Sequence, residues 1–291
     1  MNTQLPRISV ITPSYNQADF LERTIKSVLD QNYPNLQYGI VDGGSTDGSA
    51  AIIHKYQDKL DFSIIESDRG QVDAINKGLR IANGDILCYL NSDDTLLPGT
   101  LFAVANYFIE NSDCEWLIGN CVEIDAEDKP LRRLKSTPVN SLSHAIIREH
   151  RLEVPQPAIF WRKELTDKYG LFNESYNFAF DYDLWCRFLS YGHKLQKIDV
   201  DLATYRLHNQ SKTCSLQLGF LENHQRIEAS HAKHLKFADR LKFARFYGYR
   251  RRQYELLQVN GRPWRQVLKH PWWIASKQVR SRLLSSTAKA A

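Results

Sequence analysis

No apolar run in the 291-residue sequence reaches the ~18 residues of a membrane-spanning helix. The opening MNTQLPRISVITPSYN also lacks the charged, apolar and small-residue zones of a secretory signal. The expectation from both is a cytoplasmic protein. The five cysteines (88, 114, 121, 186 and 214) are an odd number with no CxxC pair, which argues against a disulfide framework or a cysteine zinc site and leaves reduced core thiols. GxGxxG and GxxxxGK[ST] are both missing, so dinucleotide and P-loop readings lose support. There is no internal repeat and no low-complexity tract. What remains is 43% hydrophobic and 24% charged, with 14 Gly and 10 Pro, a composition that excludes disorder, collagen and coiled coil. At about 150 residues per domain the length predicts one large or two ordinary domains.

The net charge of +5 hides a division. Residues 226–291 hold 16 Lys/Arg against 3 Asp/Glu, while residues 1–225 hold 22 against 30. A basic part and an acidic part meet different partners.

Over the first 125 residues, short β-rich runs alternate with helix-like segments, which predicts a mostly parallel α/β sheet with helices on both faces. The strands are read at 7–13, 36–42, 62–67 and 85–91, and the helices at 18–31, 50–60 and 71–83. Each strand runs into a polar cluster, and in open α/β sheets ligands bind beyond the carboxyl ends of strands. Asp42, Asp68, Asp93 and Asp94 all fall there. A strand followed by an exposed hairpin or loop is expected over 113–140, and a helix over 181–192. Beyond about 216 the chain reads as helical, basic and aromatic.

Several of these residues carry a choice between chemistry and local structure. The adjacent carboxylates of NSDDTLLP (91–98) repel each other unless a cation is present, and Mg²⁺ takes one or two carboxylates together with water and phosphate oxygens. Asp93 or Asp94 capping a helix that begins in TLLPGTLF is the alternative. Asp42 before two glycines can accept from a flat ligand or simply shape a turn. Asp181 and Asp183 flank Tyr182 at a helix start, where either can be a cap or a general base. His208, in TYRLHNQSKT, is a ligand candidate or a satisfied surface histidine.

Taken together, ITPSYNQ (11–17), VDGGSTDGS (41–49), SDRGQVDAINKGLRIANGDILCYLNSDD (67–94), QPAIFWRKEL (156–165), FAFDYDLWCRFL (178–189) and YRLHNQSKT (205–213) resemble the family 2 glycosyltransferases of the GT-A fold, in that family's order. The resemblance covers about residues 7–213 and implies a Rossmann-like catalytic domain at 1–215, followed by a helical basic extension at 216–291. It also implies an inverting transfer of sugar from a nucleotide-diphosphate donor to an acceptor hydroxyl of a glycan or glycolipid. By the same resemblance Asp42 holds the nucleotide base, and Pro13, Ser14, Tyr15 and Asn16 lie against the nucleotide. Asp68, Arg69 and Asp73 line the donor pocket. Asp93 or Asp94 faces a Mg²⁺ or Mn²⁺ ion, Asp93 also touching the donor, with His208 as a late ligand of the metal or diphosphate. Asp181 is the base, and Gln156, Trp161 and Asp183 are candidates for the acceptor side. Two positions depart from the family pattern: Asn91 stands for the first aspartate of the metal motif, and Phe180 for the glutamate of the acidic pair.

Those departures favour the rival reading, a nonenzymatic nucleotide-sugar-binding protein of the same fold. A nucleic-acid-binding tail is a third hypothesis, disfavoured by the acidic first 225 residues. The tail also suits an anionic membrane surface, which would make the protein peripheral on the cytoplasmic face. Pro271 can open a helix with Trp272, Ala275, Val279 and Leu283 on one side and Lys277, Arg280 and Arg282 off that stripe. Packing of the tail on the catalytic domain or on a second copy is the alternative.

Overall fold

The computed structural model describes residues 5–148, 153–208, 217–244 and 247. Strand β1 (Ile8–Ser14) is buried at every position, as a strand covered on both faces must be. It pairs in parallel with β2 (Leu36–Asp42), which pairs in parallel with β3 (Phe62–Ile65). On its other side lies β4 (Ile86–Tyr89), again parallel. The helices between them are α1 (Ala18–Leu29), α2 (Ser49–Lys55) and α3 (Gln71–Ile81). On α1 the buried side carries Leu21, Thr24, Ile25 and Val28. The helix expected over 50–60 stops at Lys55 and continues as a tighter turn, Gln57–Lys59.

Beyond β4 the parallel expectation fails in part. The short strand β5 (Thr95–Leu96) and then Gly99, in the left-handed region at φ 79°, precede α4 (Thr100–Glu110). Asp93 and Asp94 are therefore not the caps of that helix. Strands β6 (Trp116–Ile124) and β7 (Pro130–Leu134) form the expected hairpin, and a short turn can join only antiparallel strands. After α5 (Leu142–Arg148), β8 (Ile159–Arg162) inserts antiparallel between β4 and β6. Helices α6 (Lys163–Tyr169) and α7 (Phe180–Ser190) lead to β9 (Leu195–Arg206), which is parallel to β6 and antiparallel to β5. Among the described residues the sheet order is β3-β2-β1-β4-β8-β6-β9-β5, with β7 on β6. The sheet is thus mixed, its first four strands parallel.

Two successive antiparallel steps, β4 to β8 to β6, restore the original direction. The carboxyl ends of β1, β2, β4, β6 and β9 therefore reach one edge, together with the start of β8. The core behind that edge is aromatic: Trp185 lies 5.4 Å from Trp116 and 5.7 Å from Trp161, with Phe172 and Phe188 around them. Cys88, Cys114, Cys121 and Cys186 are buried, and no disulfide joins them among the described residues; Cys214 lies outside the described residues.

Helix α8 (Gln217–His231) packs on α7. His224 stacks on Tyr182 at 4.6 Å, and His231 Nε2 lies 2.9 Å from Asp183 Oδ1. No described helix is long and apolar enough to cross a membrane. The stripe proposed for 271–283 lies outside the described residues.

Candidate active site

At the end of β2, Asp42 is fully buried. Its Oδ1 accepts the backbone N–H groups of Gly44 (3.1 Å) and Ser45 (2.7 Å), and its Oδ2 accepts the Ser45 hydroxyl at 2.7 Å. The turn chemistry is thus present, and a carboxylate with about four lone-pair sites keeps one further acceptor position. Gly44 needs its left-handed φ of 82° for this turn, and a Cβ on Gly43 would come within 2.7 Å of Asp68 Oδ2. Glycine at 43 therefore lets the Asp68 carboxylate lie against the loop, while Asp68 Oδ1 accepts the Gly70 N–H at 2.7 Å.

The neighbouring strand end is laced to the same loop. Pro13 and Ser14 pair with Val41 and Asp42. Asn16, at φ 52°, accepts the Thr46 N–H at 2.9 Å and donates its own N–H to Ser45 Oγ at 2.8 Å. Asp47 accepts the Ala18 N–H at 2.8 Å, and Ser49 Oγ accepts the Gln17 N–H at 3.1 Å. Tyr15 is exposed. The buried Ser14 hydroxyl has no hydrogen-bond partner among the described residues. Residues 43–49 and 14–18 thus form one rigid wall whose inner polar groups are only partly satisfied.

Arg69, at the exposed rim, bonds Asp73 Oδ1 at 2.8 Å and Glu174 Oε2 at 2.7 Å. The Arg69 hydrogen bond holds the Asp73 carboxyl down at about 2, despite the opposing effect of burial. Asp73 is therefore ionised and committed to Arg69, with Lys77 at 3.6 Å.

The loop after β4 sorts the adjacent carboxylates. Asp93 Oδ2 faces His208 Nε2 at 3.0 Å. Asp94 turns inward: its Oδ1 accepts the Arg206 N–H at 2.9 Å and its Oδ2 accepts from the Asn91 amide at 3.3 Å. Burial, then the Asp93 charge, pushes the Asp94 carboxyl well above the ordinary carboxylate range. Both Asp94 oxygens thus accept protein donors inside the fold, whereas Asp93 faces His208. Asn91, at the family's first aspartate position, accepts from Gln71 Nε2 (2.7 Å) and donates toward Gln156 Oε1 (3.3 Å). An aspartate at 91 could not make those donations.

Among the described residues no group of three or more His, Cys, Asp or Glu side chains is arranged to hold a metal. Asp93 and His208 nevertheless offer a carboxylate oxygen and an imidazole nitrogen side by side, a two-ligand corner that fits a divalent ion completed by phosphate and water.

Asp181 and Asp183, two residues apart and so on different sides of α7, separate clearly. Asp183 is buried and bonds Arg187 Nη2 at 2.5 Å and His231 Nε2 at 2.9 Å. Burial raises its carboxyl, but the His231 and Arg187 contacts outweigh that and hold it below the ordinary range. Asp181 accepts the adjacent Tyr182 N–H at 2.8 Å. Burial raises its carboxyl, with the Tyr182 N–H and the His224 charge acting against it. The two carboxylates Asp181 and Asp94 both act electrostatically on the buried Tyr89 at the end of β4, so the start of α7 adjoins the loop of Asp93 and Asp94. Phe180 packs on Tyr89 and Phe172 as an apolar wall beside Asp181.

Gln156 is at the same edge, but its amide is committed to the Tyr89 carbonyl at 2.8 Å. Trp161 is not: it is completely enclosed between Phe172 and Trp185, so it cannot touch an acceptor. Sequence reasoning missed Ser45, Asp47, Gln71 and Arg206. Arg206 stands two residues before His208, but an arginine at a strand end reads as a surface residue.

A sequence model described as "Glycosyl transferase family 2" matches residues 9–171. The chain is 31% identical over 228 residues to the putative teichuronic acid biosynthesis glycosyltransferase TuaG of Bacillus subtilis (strain 168), covering 72% of this chain and 83% of that protein. It is 29% identical over 246 residues to the uncharacterized glycosyltransferase RT0329 of Rickettsia typhi, covering 80% and 74%. The structure of S. aureus TarS 1–349 in complex with UDP-GlcNAc superposes with a TM-score of 0.68 at 21% identity, over 92% of this chain and 79% of that one. The mannosyltransferase PcManGT from Pyrobaculum calidifontis, in complex with GDP-Man and Mn²⁺, superposes at 0.59 and 16% identity, over 98% and 85%. At those identities the two structures establish the GT-A-like fold.

Proposed function

The chain belongs to glycosyl transferase family 2, and on that premise we propose that it moves a sugar from a nucleotide-diphosphate donor to an acceptor hydroxyl, with inversion at the anomeric carbon. The observation that carries this reading is the meeting of three chemistries at one sheet edge: the Asp42 loop, the Asp93–His208 corner and the Asp181 carboxylate. Asp42, Asn16 and the wall of residues 43–49 hold the nucleotide, with Pro13, Ser14 and Tyr15 against it and Asp68 and the Arg69–Asp73 pair at its rim. Asp93 and His208 hold the divalent ion, Mg²⁺ or Mn²⁺, which when bound supplies Lewis-acid charge for the departing diphosphate.

Asp181 takes the proton of the acceptor hydroxyl as that oxygen bonds the anomeric carbon. The anomeric C–O bond to the diphosphate breaks on the opposite face, and its electron pair leaves with the nucleotide. A carboxyl raised by burial is a stronger base once ionised, and Phe180, packed on Phe172, sets an apolar ring next to it in the chain. Asp183 holds α7 in place through Arg187 and His231.

The teichuronic acid biosynthesis role in the name of TuaG supports a cell-surface polysaccharide or glycolipid as product. The test is nucleotide release from a panel of UDP- and GDP-sugars with Mn²⁺ or Mg²⁺, with and without lipid-linked and free glycan acceptors. Acceptor-dependent release is expected, together with an inverted anomeric product. Donor binding without release from any pair, at any metal, would instead favour the nonenzymatic reading that Asn91 and Phe180 support. Attachment of the basic tail to an anionic surface is tested separately: co-sedimentation with anionic liposomes at low salt should weaken on truncation after about residue 260.

A further inference from the structure

The β6–β7 hairpin turn is read from sequence as part of an exposed hairpin or loop, and its exposed residues close over a buried side chain at the edge that carries the site. Asp125 Oδ1 accepts the N–H groups of Glu127 and Lys129, and Asp128 adopts the left-handed region at φ 69°. This shape aims two carbonyls and one carboxylate at the side chain of Arg206, which is wholly inaccessible to solvent. Arg206 Nη1 donates to the carbonyls of Asp125 (2.9 Å) and Ala126 (3.3 Å), and Nη2 donates to Asp128 Oδ1 at 2.5 Å. Its Nε donates to the carbonyl of Asp93 at 2.7 Å, and its backbone N–H holds Asp94. A buried guanidinium needs a carboxylate partner. Among the described residues Asp128 is the one within ion-pair distance.

Asp128 also binds a second guanidinium, Arg23, at 2.6 Å. Both arginines lie over the ring of Phe20, at 5.0 and 5.2 Å, and His208 rests on that same ring at 4.6 Å. Two routes therefore run from the turn to the site. One goes through Arg206 to the main chain of Asp93, and the other through Phe20 to the imidazole that faces the Asp93 carboxylate.

We propose that Asp128 is a positioning residue for the corner formed by Asp93 and His208, acting through Arg206, Arg23 and Phe20. The inference rests on the reading of that corner as the place where a divalent ion meets the donor diphosphate. Asp128 touches neither donor nor ion, so its effect is on the spacing of the two ligands and hence on affinity for the ion with its nucleotide.

The test is a titration of Mn²⁺ into the full chain with UDP, and separately with GDP, free Mn²⁺ being followed by electron paramagnetic resonance. Asp128→Ala should weaken Mn²⁺ binding about tenfold, Asp128→Asn by less, and Asp128→Glu should recover most of the affinity. Arg132→Ala, which breaks the Arg132–Glu123 pair of the same hairpin without touching Arg206, is the control and should bind as wild type. In turnover the Asp128→Asn variant should raise the donor KM more than it lowers kcat. Equal affinity for wild type and the Ala and Asn variants would overturn the inference, as would an equal loss in Arg132→Ala. If wild type itself takes up no Mn²⁺ with either nucleotide, the reading of the corner fails and the inference falls with it. Should the Ala variant not fold, the Asn and Glu variants decide by the same comparison.

Discussion

Asn at position 181 and Asn at position 183 should produce opposite defects, although both remove a carboxylate from the first turn of α7. Asp183 is buried in an ion pair with Arg187 and a hydrogen bond with His231. Removing one partner of a buried pair costs about 3–5 kcal/mol, because the other charge is left uncompensated. At roughly 2–4 °C per kcal/mol for a large domain, Asp183→Asn should lower Tm by on the order of 10 °C. Its remaining folded fraction should turn over at near the normal rate. Asp181 has no such partner, so Asp181→Asn should leave Tm within a degree or two but lower kcat by at least ~10²-fold, or about 2.7 kcal/mol of barrier.

The pH dependence separates them again. Burial raises the Asp181 carboxyl, so the proposed base is ionised only above that raised value, and kcat/KM should climb with pH through it. The same shift means that the stability Asp181 contributes is present at low pH and lost as pH rises through its folded value, so Asn there does not destabilise at neutral pH. Asp183, held low, contributes stability above the ordinary carboxylate range that is lost as pH falls through its lowered value. Thermal melts beside a nucleotide-release assay over pH 4–9 read all of this. If Asp183→Asn abolishes kcat at unchanged Tm while Asp181→Asn does not, the assignment of the base is wrong.

Three further outcomes are expected. Asn91→Asp should lose about 1–3 kcal/mol of stability, as its donations to Asp94 and Gln156 are replaced by repulsion, and the loss should grow from pH 5 to pH 8; an unchanged melt would refute the neutral network. Gly43→Ala should displace Asp68, whose Oδ2 would lie 2.7 Å from the new Cβ, and calorimetry should show weaker nucleotide binding with little change in Tm. Asp73→Asn should flatten acid unfolding, because a carboxyl held at about 2 adds stability above its ordinary value that is lost as pH falls toward 2; circular dichroism between pH 5 and pH 1.5 measures it.

Local signals proved enough for the parallel half of the sheet. β2 occupies the expected residues 36–42, and the turn that follows sets Gly43 against the Asp68 carboxylate and Gly44 in the left-handed region. The antiparallel insertion of β8 was not legible, since an apolar run carries no record of which neighbours it will have. The site divides in the same way. Asp42 and Asp181 stand where motif and element boundary coincide, whereas the inward turn of Asp94 depends on a backbone N–H 112 residues away. Trp161 reads the same in the core and at a binding face until the rings of Phe172 and Trp185 are placed around it.

The bond from Arg206 to the Asp93 carbonyl bears on how such a chain can be recombined. A hybrid of two relatives joined anywhere between Asp94 and Tyr205 takes the loop of Asp93 from one parent and its buried guanidinium from the other. The geometry of the Asp93 loop therefore does not travel with the first half of the chain alone. A graft of α7 between relatives should leave Arg206, His208 and the 125–128 turn with the parent that supplied Asp93 and Phe20.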